Sequence, residues 1–276
     1  MSDNNLPIGV FDSGVGGLTV LNELIKHFPN ESFIYLGDTA RLPYGTKSPE
    51  TIRHYSKQMT DILVAAKIKM LVIACNTATS ASVPYLKQQF PDLPIIGVVE
   101  PGALAAVKKT KKNNIAVLAT EATIKSQIYQ NTIQSFNAEA KVESQACGLL
   151  VALAEEGLID DEIARLTIKK YLNDINQKSK NYDVVVLGCT HFPVFSAIFE
   201  EILGPTICVV NSAKETALAV DRELNTLNLR ATHAKKSIRF MVTDLPERFI
   251  RVSKIFLDHP VDENLVSLVD IPAAKA

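Results

Sequence analysis

The chain has 276 residues, 47% of them hydrophobic and 21% charged, with 12 Gly and 13 Pro, a balance that excludes disordered, collagen-like and low-complexity architectures. That length suits two domains or one large α/β unit with a sizeable core. Its 29 basic and 30 acidic side chains nearly cancel to a formal charge of −1, so no global positive field exists to hold a polyanion, and no nucleic-acid partner is expected.

The longest purely apolar runs are a handful of residues, such as Val184 to Leu187, far short of a membrane span. The start from Met1 to Asn5 lacks the basic and apolar regions of an export signal. A cytoplasmic protein without a membrane partner is the expectation. Four cysteines, Cys75, Cys147, Cys189 and Cys208, are too few for a disulfide scaffold and form no C-x-x-C pair, so they read as free thiols.

Short β-rich apolar runs alternate with amphipathic stretches throughout, which predicts stacked βα units and a mainly parallel sheet. In chain order the predicted strands are Ile8–Asp12, Ser32–Asp38, Lys69–Cys75, Pro94–Val99, Asn114–Thr120, Lys141–Cys147, Asp183–Cys189, Thr206–Asn211 and Ser237–Thr243. A helical pattern follows each, with the last left open. Ser48-Pro49-Glu50 supplies an N-cap hydroxyl, a proline at the first helical position and a first-turn acid; Ser212 with Glu215 reads as a capping box. The lysines at 108, 109, 111 and 112 read as a solvated helix end.

Pro101-Gly102 and Asn211-Ser212 are the predicted domain crossings. They divide the chain into a split α/β domain, residues 1–99 plus 211–276, and an inserted α/β domain, residues 100–210. An internal echo supports two parts. Leu71 to Thr77 and Val185 to His191 share the layout apolar strand, small residue, Cys, polar pair, and the end of Ile8–Asp12 echoes more weakly the end of Asn114–Thr120.

In open parallel sheets ligands bind beyond the carboxyl ends of the strands. Standing there are Asp12-Ser13-Gly14, Asp38, Cys75-Asn76-Thr77, Thr120 with Thr123, and Cys189-Thr190-His191. A thiol between a strand end and a helix start feels the positive end of the helix dipole, which predicts lowered pKa values for Cys75 and Cys189. Cys147, followed by an apolar stretch, reads as structural, and Cys208, inside a strand, as core.

Other chemistries are testable by spacing. Asp12 to Gly17 resembles a dinucleotide loop, but Thr19 stands at the third glycine position and Asp12 would set a carboxylate where pyrophosphate must lie. The glycines also read simply as a tight strand-to-helix turn. A phosphatase C-x5-R loop fails, because Ala81 and Phe195 occupy the arginine positions. Cys75, Cys189 and His191 lack structural-zinc spacing, so neither a cofactor nor a metal is expected. His191 is a candidate proton partner for Cys189, and Glu155, in a predicted helix from Leu149 to Leu158, matters if it faces the cleft. A hydrolase using Cys189 with His191 and a non-catalytic amino-acid-binding protein are both compatible with these residues.

Five segments taken together resemble glutamate racemase, of the cofactor-independent aspartate/glutamate racemase superfamily: Asp12 to Gly17, Pro43 to Thr46, Ala74 to Ala78, Gly97 to Pro101, and Gly188 to His191. The likeness runs from about Ile8 to Leu218. It implies two similar α/β domains with mainly parallel sheets and the active site in the cleft between them, each presenting one cysteine.

It further implies interconversion of L- and D-glutamate for peptidoglycan without pyridoxal phosphate or metal, and a homodimer. Inverting a stereocentre by proton transfer needs a base on one face of Cα and an acid on the other. By resemblance, Cys75 deprotonates D-glutamate and Cys189 L-glutamate, with Asp12 assisting the first and His191 and Glu155 the second. Asp12, Ser13, Tyr44, Gly45, Asn76, Thr77, Thr190 and His191 hold the substrate. Aspartate racemase is the nearest alternative. The sequence departs from the family pattern at Gly148, where proline is common, and at Phe240 to Asp244, which lacks the familiar Thr-Gly-Asp.

Overall fold

The computed structural model describes residues 3–179, 181–232 and 236–271. Its strands are β1 (Ile8–Asp12), β2 (Phe33–Gly37), β3 (Met70–Ile73), β4 (Ile95–Gly97), β5 (Asn114–Ala119), β6 (Lys141–Ala146), β7 (Val184–Gly188), β8 (Cys208–Asn211), β9 (Ile238–Val242) and β10 (Val266–Leu268). Between them run helices α1 (Leu18–His27), α2 (Pro49–Ala65), α3 (Asn76–Gln89), α4 (Val99–Lys109), α5 (Glu121–Lys125) and α6 (Ile128–Phe136). Next come α7 (Leu149–Glu155), α8 (Glu162–Lys178), α9 (Ser196–Leu203), α10 (Ser212–Thr226) and α11 (Pro246–Phe256). Among the described residues no helix is long and apolar enough to cross a membrane.

The strands form two sheets, ordered β10-β9-β2-β1-β3-β4 and β6-β5-β7-β8, and every neighbouring pair is parallel. The fold is therefore α/β in two lobes. The order β2-β1-β3-β4 in the first sheet repeats as β6-β5-β7-β8 in the second. Cys75 follows the third strand of one unit and Cys189 the third strand of the other, so the internal echo reflects equivalent positions. The weaker echo likewise pairs β1 with β5.

All nine predicted strands form, most of them shorter at one or both ends than predicted. A tenth, β10, was not predicted: it is three residues long at a sheet edge, with two of them exposed. The pattern after β9 does form a helix, α11, because Phe249, Val252, Ser253 and Phe256 recur on one face and are buried.

Three local expectations are corrected. The predicted crossing at Pro101-Gly102 is not a loop: both residues are buried in the first turn of α4, where proline is tolerated, and that helix carries the chain from the first sheet to the second. Asn211, not Ser212, caps α10, its side chain accepting from the Ala213 N–H at 2.9 Å. Cys208 is only partly buried, because β8 is an edge strand. Ser48 caps α2 as expected, accepting from Thr51 N, and Lys108 and Lys109 do close α4.

One hydrophobic cluster spans both lobes, running from Val10, Leu21 and Leu24 through Val220 and Leu224 of α10 to Leu187 and Phe192, and on to Val252 and Phe256 of α11. The outer faces of the two sheets are covered separately, by α2 and α3 on one and by α4 and α6 on the other. The lobes thus share apolar packing on one side and face each other across a cleft on the other.

The end of the first sheet remote from the cleft is pinned by one buried ion pair. Lys69 Nζ donates to Glu31 Oε2 at 2.6 Å and to the carbonyls of Asn4 and Leu229 at 2.6 and 2.7 Å, while Glu31 Oε1 accepts from Ala231 N at 2.9 Å. Burial lowers the Lys69 pKa, against the pull of Glu31. Removing one partner strands the other in a low dielectric. Lys69→Met is therefore expected to destabilise the protein by about 3–5 kcal/mol in urea unfolding; a loss below about 1 kcal/mol would show that the pair is not buried as described.

Candidate active site

The carboxyl ends of both sheets open into one cavity of about 360 Å³. The first lobe lines it with Ser13, Gly14, Tyr44, Gly45, Cys75, Asn76 and Thr77, and the second with Thr120, Gly148, Glu155, Cys189, Thr190 and His191. Both candidate thiols face the same space, each from its own sheet.

Cys75 sits two residues past β3 and acts as the N-cap of α3. Its sulfur accepts from Ala78 N at 3.4 Å and bonds Ser13 Oγ at 3.5 Å. The thiol pKa nevertheless moves up, not down as predicted. Burial is the main cause and the neighbouring Asp12 carboxylate adds to it, together outweighing the helix N–H and Ser13 bonds. The sequence displayed the helix start but not the depth of burial.

Cys189 follows β7 directly but precedes a short 3-10 turn, Phe192–Phe195, instead of an α-helix. Its partner is a side chain: Cys189 Sγ lies 3.8 Å from His191 Nδ1, and His191 Nε2 lies 3.1 Å from Glu155 Oε1. Burial opposes a charged imidazole, but the bonds to Cys189 and Glu155, with the charges of Cys189 and Asp12, push His191 up to about 10. This setting, between a sulfur and a carboxylate, favours the imidazolium form of the ring. Glu155, the last residue of α7, is held below the usual carboxylate range: burial works to raise it, and the His191 bond and charge, then Arg248, overcome that.

Asp12 is placed differently from expectation. It ends β1 in the middle of the sheet, fully buried, with Oδ2 accepting from Gly14 N at 3.0 Å. It does not line the cavity; its carboxylate lies beneath the floor, where it acts on Cys75 and His191 through its charge. Burial raises its own pKa despite His191 and three backbone N–H groups. Its Oδ1 and the Asn76 Nδ2 are buried polar atoms with no hydrogen-bond partner among the described residues.

Tyr44 donates to Asp38 Oδ2, which also accepts from Arg41 Nε at 2.7 Å, while Oδ1 accepts from Thr243 Oγ1 at 3.0 Å. Asp38, at the end of β2, therefore holds the Tyr44-Gly45 loop and is absent from the cavity wall. Across the cleft, Thr77 Oγ1 lies 2.9 Å from Thr120 Oγ1 and 3.2 Å from Thr123 Oγ1, and those two are 3.0 Å apart. Tyr129 of α6 donates to Asn76 Oδ1 at 2.7 Å, a second polar bridge between lobes. Cys147 is buried and bonds the Gln145 carbonyl, away from the cavity wall.

Gly16 and Thr19 have roles the sequence did not disclose. A Cβ on Gly16 would lie 2.8 Å from Thr190 Oγ1 and closer still to the His191 ring. Thr19 Oγ1 donates to the Thr190 carbonyl at 2.9 Å. The turn carrying Cys189 and His191 is thus seated on the start of α1 from the other lobe. Thr19 occupies that contact in place of the third glycine of a dinucleotide loop. Among the described residues, no three His, Cys, Asp or Glu side chains are grouped to hold a metal ion.

A cavity between two parallel-sheet lobes thus takes one buried cysteine from each, the arrangement of a two-lobed α/β enzyme with its site in the cleft. The Asp/Glu/Hydantoin racemase family model matches residues 8–220, and the chain belongs to that family. It is 46% identical over 251 residues to a glutamate racemase of Geobacter metallireducens, covering 91% of this chain and 92% of the relative. Among solved structures it is similar to glutamate racemase isoform RacE1 from Bacillus anthracis, with a TM-score of 0.91, 35% identity and coverage of 98% and 99%. A Francisella tularensis glutamate racemase solved in complex with D-glutamate gives 0.90, 34%, and 97% and 98%.

The raised His191 pKa has a sign. A group whose folded pKa lies above its ordinary value of 6.5 stabilises the fold fully below that value and loses the contribution as pH climbs through about 10. The stability gap between wild type and His191→Asn, from urea unfolding, is expected to be full below about pH 6.5, to narrow above it and to close as the pH passes about 10. A gap independent of pH would mean that the imidazole is not held charged.

Proposed function

We propose that this protein is a glutamate racemase that inverts Cα by a two-base proton transfer between Cys75 and Cys189. The observation that carries the reading is the pair of buried cysteines from separate lobes on one cavity. Kinship with proteins named glutamate racemase over nine-tenths of the chain supports the substrate.

In the proposed reaction the Cys189 thiolate removes the α-proton of L-glutamate, leaving a planar carbanion, and the Cys75 thiol returns a proton to the opposite face. In the reverse direction Cys75 is the base and Cys189 the acid. His191, charged and 3.8 Å from Cys189, is the counter-charge that a thiolate needs there. Glu155 orients and holds that ring. Cys75, raised by burial and by Asp12, is suited to resting as the protonated partner.

Asp12 acts in this scheme through the thiol, and Ser13 through its bond to Cys75. The hydroxyls of Thr77 and Thr190, the Asn76 amide and the Tyr44-Gly45 segment supply polar groups for the substrate carboxylates and ammonium, and the start of α3 adds backbone N–H donors. Thr120 joins them through its contact with Thr77. A carbanion without an electron sink needs a dry, preorganised pocket, which the burial of both thiols supports.

The domain division belongs to the same reading. Residues 1–99 plus 211–276 carry Cys75, and residues 100–210 carry Cys189, a partition supported by the two sheets and by the passage of the chain through α4 and α10; residues 1, 2, 180, 233–235 and 272–276 lie outside the described residues. A cytoplasmic location, supply of D-glutamate to peptidoglycan and a homodimer complete it. For the last, the exposed Leu149, Ile163 and Leu166 offer apolar surface.

The test is isotope exchange. Wild type incubated with L-glutamate in deuterated water is expected to yield D-glutamate carrying deuterium at Cα, with activity surviving chelation. Cys75→Ser and Cys189→Ser are each expected to lose about 10²–10⁴-fold in racemisation. Absence of Cα deuterium in wild type would reject a racemase, survival of the Cys75 variant would indicate a single-nucleophile hydrolase, and preference for aspartate would move the assignment within the superfamily.

A further inference from the structure

The last sixty residues acquire a role through α11, a helix attached to the first sheet. Arg248, Val252 and Phe256 recur every four residues and so share one face. That face meets the second lobe. Phe256 sets its ring edge-on to His191, with centroids 5.4 Å apart at 85°. Two turns earlier, Arg248 Nη2 lies 3.4 Å from Glu155 Oε2 and 4.0 Å from Glu156 Oε1.

The division of labour on Glu155 is informative. One carboxylate oxygen, Oε1, meets His191; the other, Oε2, meets Arg248. A carboxylate fixed by one oxygen still turns about its terminal torsion, which is broad and soft. A second donor on the other oxygen removes that freedom, as paired charge-assisted bonds do. Arg248 does not line the substrate cavity, lining instead a small surface cleft with Glu155, Glu156 and Arg251.

We propose that Arg248 is a positioning residue for the second base: from the first lobe it locks Glu155, which aligns His191, which sets Cys189. This rests on the racemase reading and extends it, because one lobe then fixes the proton-transfer geometry of the other. The charged groups around the relay are Cys189 and Asp12 on the His191 side, and Arg248, Arg251 and Glu156 on the Glu155 side. Arg248 and His191 both favour ionised Glu155, which must accept from the imidazolium. Without the guanidinium, Glu155 takes up a proton at higher pH and the acid side of the rate profile moves up with it.

The experiment compares Arg248→Met and Arg248→Lys with wild type in the complete chain. Racemisation of both enantiomers is followed across pH, and the Glu155 side-chain carboxyl is titrated by carbon NMR. For Arg248→Met the expected result is a kcat lowered about tenfold, as for a misaligned proton donor, with KM unchanged. Its acid limb and Glu155 titration should rise by about half a pH unit, the low end for a partly solvated pair. Arg248→Lys should return the acid limb and most of the rate.

Wild-type kcat and acid limb in Arg248→Met would overturn the proposal. So would equal slowing of both variants with a lowered Tm and an unmoved Glu155 titration, the signature of a merely structural contact. The NMR titration judges the Arg248–Glu155 coupling whether or not wild type racemises glutamate, whereas absence of Cα exchange in wild type would sink the functional reading alone.

Discussion

Everything in the cleft depends on two strand-end turns from different sheets meeting without a side chain between them. Gly16 supplies the bare backbone on which Thr190 and His191 rest, and Thr19 adds the hydroxyl that ties the Thr190 carbonyl down. Because interiors are packed nearly as densely as crystals, such a contact has little slack, and it sets where the Cys189 turn sits relative to the first lobe. The shared core behind it, through α10 and α11, keeps that approach from being a loose encounter.

The repeat explains how one architecture produces a two-sided site. Each sheet has a β2-β1-β3-β4 type order with a cysteine after its third strand, and the sheets present those ends to a common cavity. Duplicate units that face each other offer the same chemical group to opposite sides of whatever lies between. The surroundings have not stayed duplicate: a carboxylate lies under Cys75, and a charged histidine stands beside Cys189.

Strand positions and the strand-end part of the cavity, including both thiols, were legible from local pattern, since a βα unit exposes its strand-end residues; Tyr44 and Gly45 came only through the resemblance. Partners across the cleft were not. Nothing near Gly16 in the chain announces His191, and the Thr77 contact with Thr120 and Thr123 joins residues more than forty positions apart. The direction of the Cys75 shift was misread for a related reason: helix dipoles can be inferred from sequence, whereas desolvation depends on which elements close over the thiol. Arg248 belongs to none of the motifs that marked the cavity, and only its place on one face of α11 brought it to Glu155.

The unequal settings of the two thiols are compatible with a reaction that has no preferred direction. L- and D-glutamate are mirror images with equal free energy in water, so kcat/KM must be the same for both, whatever the protein does to each sulfur. In the proposed reaction, a proton resting on Cys75 and an imidazolium waiting at Cys189 bias the free enzyme toward the form that accepts L-glutamate. The D enantiomer then binds the less populated form, and its apparent affinity is reduced by that fraction. The bias therefore separates kcat from KM between enantiomers while their ratio stays fixed. In that proposed scheme, asymmetry around the thiols sets which form accumulates at rest, and the two-sided geometry carries the capacity to invert.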